Sequence, residues 1–106
     1  MKVDLKKVEL KTIEGKKAKP NVPIWKLVGN VLYNFAKNLD LVDIAINMNK
    51  GNVVEMSEIH IKEMRQLIAM PENGVYAFAR KAVYGYLDLV QEQEDIKNRK
   101  DKKRKK

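Results

Sequence analysis

The sequence predicts an α+β protein that is predominantly helical, with a small N-terminal β-hairpin followed by about four helices in a compact bundle. Residues 2–19 contain a period-two alternation, whereas apolar residues after residue 22 recur every three or four positions. Strands that precede helices along the chain are typical of an α+β architecture. A length of 106 residues corresponds to one domain. We divide it into an extended segment packed on the domain (1–22), a helical body (23–96) and a disordered basic tail (97–106).

The predicted hairpin is centred on a turn at Gly15. Val8 and Leu10 alternate with charged residues, which is the pattern of a half-buried strand. Glycine accepts the positive φ angle that a tight turn requires, so the chain is expected to reverse at Gly15 and return as a second strand over 16–19.

Two helices are predicted in the first half of the body. The first, over 23–37, has Pro23 at its first position, where the missing N–H is tolerated. Gly29 lies within its apolar stripe, and we expect it to allow close packing against a neighbouring element. Asp40 is the predicted N-cap of a second, shorter helix, and Gly51 its left-handed stop.

Two further helices complete the predicted bundle. Ser57 is a favourable N-cap for a helix over 58–69. The last helix is placed at 74–95 and carries an unusually wide apolar arc. Such an arc predicts either the central helix of the bundle or a helix that contacts another chain.

The net charge of +8 is concentrated at the two ends of the chain. Residues 97–106 hold eight Lys or Arg and one Asp, and residues 1–19 hold seven Lys and three acids. Residues 20–96 hold seven basic and ten acidic groups, so the helical body is slightly acidic. The composition therefore excludes a uniformly basic DNA-binding fold.

The basic tail is a candidate electrostatic arm for nucleic acid. It contains no aromatic side chain, so any binding would be independent of base sequence. The alternative is a solvated terminus, because runs of like charge are often only solvated. No lipidation signal accompanies the tail, and we expect no membrane partner. The candidate nucleic-acid-binding residues are Lys97, Arg99, Lys100, Lys102, Lys103, Arg104, Lys105 and Lys106.

The sequence predicts neither an enzyme nor a metal protein. Ser57, His60 and Glu63 are too close in sequence for a hydrolytic triad, whose members usually come from distant segments. The chain has no cysteine, no recognisable carboxylate–histidine metal motif and no glycine-rich phosphate loop. We therefore expect no catalytic residue, no cofactor, no metal and no small-molecule substrate.

The aromatic residues lie at positions with core-like spacing on predicted helices, and most are expected in the core. Four tyrosines and a tryptophan nevertheless exceed what one small core needs. Trp25, Tyr76 and Tyr84 are the candidates for a protein interface, since aromatic residues often dominate binding energy there. A protein partner or self-association into an oligomer is the expected mode of action.

The segment LKTIEGKKAK before an apolar helix, followed by GNVVEMSEIHIKEMRQLI, resembles part of a known group. This order is similar to that of small uncharacterised accessory or morphogenesis proteins of tailed phages and prophages, some of which resemble tail assembly chaperones. The resemblance covers roughly residues 5–90 and implies an accessory or assembly role. The N-terminus has no signal-peptide pattern and no apolar run spans a bilayer, so the expected location is the cytoplasm, or the host-cell cytoplasm for a phage protein.

Overall fold

The computed structural model describes residues 1–18 and 21–104, and side chains as far as Arg99. Four helices account for most of this part of the chain, as the sequence predicted. Two short strands and two 3-10 turns, at Leu5–Lys7 and Pro71–Asn73, join them. The strands are β1 (Lys2–Val3) and β2 (Val54–Glu55), and the helices are α1 (Ile24–Phe35), α2 (Leu39–Asn49), α3 (Glu58–Ala69) and α4 (Ala77–Arg104).

The N-terminal segment makes two antiparallel pairings. The predicted reversal occurs at Gly15, whose φ is +83°. A single bridge joins Lys11 to Lys17, and the Ala18 N–H donates to the Leu10 carbonyl over 2.8 Å. The regular sheet is elsewhere, because β1 pairs with β2 and places Val3 opposite Val54.

Helices α1 and α2 pack closely because Gly29 has no side chain. A Cβ at this position would lie 3.0 Å from the Asn49 backbone nitrogen and 3.2 Å from the Ala45 carbonyl oxygen. The Asn49 side-chain amide also donates to the Asn30 side-chain oxygen over 2.8 Å. The predicted close-packing role of Gly29 is confirmed.

The helix caps confirm one predicted start and correct another. Ser57 Oγ accepts from the His60 N–H at the start of α3, and α3 spans the predicted residues 58–69. By contrast, Asp40 does not cap α2. Asn38 is the cap, and its side-chain oxygen accepts from the Asp40 N–H over 2.9 Å. A cap bonds to an N–H two or three residues later, which Asn38 reaches from its extended backbone.

Helix α4 begins and ends later than the sequence predicted. Gly74, with a φ of +79°, closes the 3-10 turn before it, so the helix starts at Ala77 rather than at residue 74. A disordered tail was predicted from residue 97, but the backbone over 97–104 continues the helix. Lys and Arg are good helix formers, and their positive charge is favourable near a helix C-terminus. Lys105 and Lys106 lie outside the described residues.

The core is aliphatic, and none of the seven aromatic residues belongs to its buried set. The prediction that most aromatic residues lie in the core was therefore wrong. Tyr84 and Tyr86 are half-buried at its edge, where their hydroxyls form hydrogen bonds to the backbone. The largest fully buried side chains are Leu32, Leu41, Met48, Met56, Ile61, Met64, Ile68 and Leu87.

Candidate functional site: a groove between the hairpin and the last helix

A groove of about 810 Å³ lies between the N-terminal hairpin and α4. The hairpin supplies one wall and the first half of α4 supplies the other. Most of the exposed lining surface is apolar. The residues that line the groove include Lys11, Ile13, Phe78, Lys81, Ala82 and Gly85.

Large apolar side chains surround this groove without being buried by the fold. Ile13 at the hairpin turn is 99% exposed and Phe78 is 49% exposed. Tyr76, 70% exposed, stacks on Phe78 with ring centroids 6.1 Å apart and planes inclined by 12°. Because apolar surface of this kind is costly to expose as a contiguous patch, it marks a surface suited to covering by another molecule.

The hairpin is fixed to the body at its base. Leu10 is buried in the core, and the Asp4 N–H donates to the Tyr86 hydroxyl of α4 over 2.8 Å. A second, smaller depression is lined in part by Val8 and Trp25. The core therefore holds the base of the hairpin, while Ile13 at its turn stays exposed.

Helix α4 carries two apolar faces. Ala79, Val83 and Leu87 are buried against the core. The opposite face carries a stripe in which each residue follows the last by three or four positions, as on one side of a helix. We call it the outer stripe of α4, and it consists of Phe78, Ala82, Gly85, Leu89, Glu92 and Ile96.

Apart from the half-buried Ala82, the residues of the outer stripe are exposed. Leu89 is 58% exposed and Ile96 is 43% exposed. A Cβ added at Gly85 would meet nothing within 4 Å, in contrast to Gly29, which contacts α2. Glycine within a helix destabilises it by roughly 1 kcal/mol relative to alanine. No contact within the described part of the chain accounts for Gly85.

Charge is divided along the same face of α4. Lys81 stands at the groove, and Lys11 stands across from it on the hairpin. The next stretch of the helix, 88–95, contains no basic residue, and its Asp88, Glu92 and Asp95 lie on or beside this face, whereas Glu94 lies near Met1 and Lys2 on another face. The groove end of the face is therefore basic and the following end acidic.

The chain was compared with protein-family models, curated proteins and solved structures. No match was found. None of the helices in the described residues combines the length and apolarity needed to cross a bilayer. The function is therefore inferred from the groove, the outer stripe and the charges.

The three predicted interface residues lie in different places. Tyr76 stands beside the groove through its stacking on Phe78. Trp25 is half-buried, with the Lys6 ammonium 5.7 Å from its ring centroid. Tyr84 packs under Arg65, 5.4 Å from the ring centroid, and its hydroxyl donates to the Arg65 carbonyl over 2.9 Å. Trp25 and Tyr84 thus make contacts within the chain, and an interface role for them stays a prediction.

Several residues of the site were missed at the sequence level. Phe78 and Leu89 were predicted only as part of the one wide apolar arc of the last helix, and Ile13 and Ile96 were given no role. The available signal was the width of the apolar arc on α4, which is too broad for one buried stripe. The regular spacing from Phe78 to Ile96 is that of one helix face, but only the packing in the structure shows that this face is separate from the buried one.

The side chains of Ser57, His60 and Glu63 each accept a hydrogen bond from a backbone N–H group. His60 Nδ1 accepts from the Ser57 N–H over 3.2 Å and Ser57 Oγ accepts from the His60 N–H over 3.3 Å, so the two form a helix cap. Glu63 Oε1 accepts from the Lys37 N–H over 2.9 Å. Among the described residues, no three metal-ligating side chains are grouped as a site.

One carboxylate has a perturbed pKa. Glu55 accepts a hydrogen bond of 2.7 Å from the N-terminal ammonium of Met1. This bond lowers the pKa of Glu55, against partial desolvation, which raises it. The contact holds Met1, directly before β1, against Glu55, the last residue of β2. We assign it a structural role.

The basic residues of the C-terminus are only partly described. Lys97 and Arg99 are exposed on the last turns of α4. The backbone of Lys100, Lys102, Lys103 and Arg104 is helical, and their side chains fall outside the described part. Nucleic-acid binding by these residues stays a prediction.

Proposed function

We propose that this protein is a non-enzymatic interaction or assembly protein that binds a protein partner, either a second copy or a different chain, through the groove between its hairpin and α4. The observation that carries the proposal is the exposure of Ile13 and Phe78, which line one groove, and of Tyr76, which stacks on Phe78. Aromatic side chains of this kind contribute a large share of binding energy at interfaces, because they bury much area with few rotatable bonds.

The proposal includes a biological setting. The resemblance to phage and prophage accessory proteins supports a role in assembly, and the absence of cysteine is compatible with a reducing cytoplasm. We propose that the protein acts in the cytoplasm, which is the host-cell cytoplasm for a phage-encoded protein.

Site-specific photo-crosslinking in the native cell tests the proposal. A photoreactive phenylalanine analogue at position 76 is expected to form a discrete adduct with a protein partner. The matched control is the same analogue at Tyr33, an exposed tyrosine on α1 that, unlike Tyr76, does not stack on a residue of the groove. Equal adducts at both positions, or none at 76, would count against the proposal.

A second candidate function is sequence-independent binding of nucleic acid by residues 97–106. It is favoured by eight basic residues in ten, beginning on exposed turns of α4. Each phosphate contact releases counterions, so affinity should fall with salt with a log–log slope of up to about −0.9 per contact on duplex DNA.

Fluorescence anisotropy with labelled DNA tests this candidate. The full-length chain is compared at two salt concentrations with a variant in which Lys100, Lys102, Lys103, Lys105 and Lys106 are replaced by Gln. Binding should weaken and lose most of its salt dependence in the variant. Binding that is identical in the two proteins would refute the role of the tail.

A further inference from the structure

From the outer stripe of α4 we infer that the occupant of the groove is a second copy of this chain, with the two α4 helices packed antiparallel along their outer stripes. This inference rests on the proposed function and names its partner. Antiparallel packing places the second half of one outer stripe, with Glu92 and the flanking Asp95, over the groove-lined half of the other, which Lys81 flanks.

The spacing of the outer stripe suits helix-on-helix packing. Its six positions, from Phe78 to Ile96, follow an alternation of four and three residues. This is the repeat of paired helices, in which side chains of one helix insert between those of the other. At 1.5 Å per residue the stripe is about 27 Å long, which is enough for a continuous helical contact.

Gly85 is explained by this arrangement. With the midpoint of the contact between Gly85 and Leu89, Gly85 of one copy faces the partner copy's Leu89, and Phe78 faces the partner copy's Ile96. An open glycine then receives an exposed leucine, and the pair occurs twice by symmetry. Gly29 shows the same use of a helical glycine for close approach within the chain.

The charges select the antiparallel direction. Lys81 and Asp95 lie on the same flank of the stripe, two heptads apart, so antiparallel packing brings Lys81 opposite the partner copy's Asp95 at both ends. Glu92 comes over Ala82, beside the groove that Lys11 and Lys81 border. Parallel packing would instead place each Glu92 opposite the other within the apolar stripe, where an unpaired carboxylate is unfavourable.

One like-charge contact remains at the centre, and the structure already compensates it. Asp88 would approach the partner copy's Asp88 across the twofold axis. In each chain, however, Asp88 accepts a hydrogen bond of 2.6 Å from Arg65 of α3. The guanidinium therefore offsets the negative charge of Asp88 at this position.

The hairpin borders the incoming helix. The partner copy's residues 89–96 lie over residues 78–85, which form the α4 wall of the groove. Ile13 on the opposite wall then contacts the apolar side of that helix and becomes buried. The dimer accounts for the exposed apolar side chains Ile13, Phe78, Leu89 and Ile96 together.

Sedimentation equilibrium of the full-length chain tests the inference. We expect a concentration-dependent species of twice the 12.3 kDa chain mass. Lys81→Glu and Asp95→Lys should each raise the dissociation constant on the order of tenfold, because each replaces two attractive pairs by repulsion. The double variant should restore the parent value. Lys62→Glu, the same change on an exposed position of α3, is the control and should leave the dissociation constant unchanged.

The direction of packing is tested by disulfide formation, which the absence of native cysteine makes unambiguous. Ala82→Cys and Glu92→Cys chains, mixed and oxidised, should yield the mixed 82–92 crosslink in preference to 92–92. A predominance of 92–92 would overturn antiparallel packing. A chain that is monomeric at every concentration would overturn the second-copy inference, whereas adducts at position 76 with a different protein would still uphold the proposed function.

Discussion

At the scale of single residues, the hydroxyl of Tyr86 ties the N-terminal segment to α4. It accepts from the partly buried Asp4 N–H over 2.8 Å, so Tyr86→Phe leaves that donor without this partner. We expect the free energy of unfolding to fall by about 1–2 kcal/mol, the penalty of an unsatisfied backbone group. Urea denaturation measures the change. Tyr33→Phe, at an exposed tyrosine, is the matched control, and an equal loss in the control would contradict the assignment.

Glu55 makes a residue-scale prediction about pH. Its folded pKa is depressed by the ammonium of Met1, so the folded state binds fewer protons there than the unfolded state near pH 4.5. The stabilisation is present above the unfolded pKa and is lost as pH falls through the lower folded pKa. The stability difference between the parent and Glu55→Gln should therefore shrink on acidification below about pH 4.5. A difference that stays constant down to pH 2.5, measured by denaturation across that range, would contradict this account.

At the scale of elements, two helical glycines predict opposite responses to alanine. Gly29→Ala places a Cβ 3.0 Å from the Asn49 nitrogen, against backbone that cannot move cheaply, so the protein should lose roughly 1–3 kcal/mol. Gly85→Ala meets no atom within 4 Å, so the monomer should gain roughly 0.5–1 kcal/mol from helix propensity. Denaturation at low protein concentration, where monomers prevail, measures both. If both substitutions change the free energy of unfolding in the same direction, the environments described for Gly29 and Gly85 are wrong.

The elements also show which features could be read from the sequence. Helix α3 was predicted over 58–69 because Ser57 gives a local signal at the residue where the helix begins. The pairing of β1 with β2 could not be predicted, since it joins two-residue strands that lie about fifty positions apart. For α4, the sequence showed a wide apolar arc with two interpretations, burial or contact with another chain. The structure provides a buried face and an exposed one, and only three-dimensional packing separates them.

At the scale of the whole molecule, self-association would couple stability to protein concentration. A dimer stabilises only the folded state, so the melting temperature should rise as concentration increases. Leu89→Glu introduces a charge into the outer stripe without touching the buried face of α4, and it should abolish this dependence while leaving the monomer folded. Circular dichroism melts at concentrations differing by a hundredfold measure the effect. The matched control is Ile59→Glu, a similar change at an exposed apolar position on α3, which should keep the concentration dependence of the parent. A melting temperature of the parent that is constant over the range would mean that the outer stripe stays uncovered by a second copy.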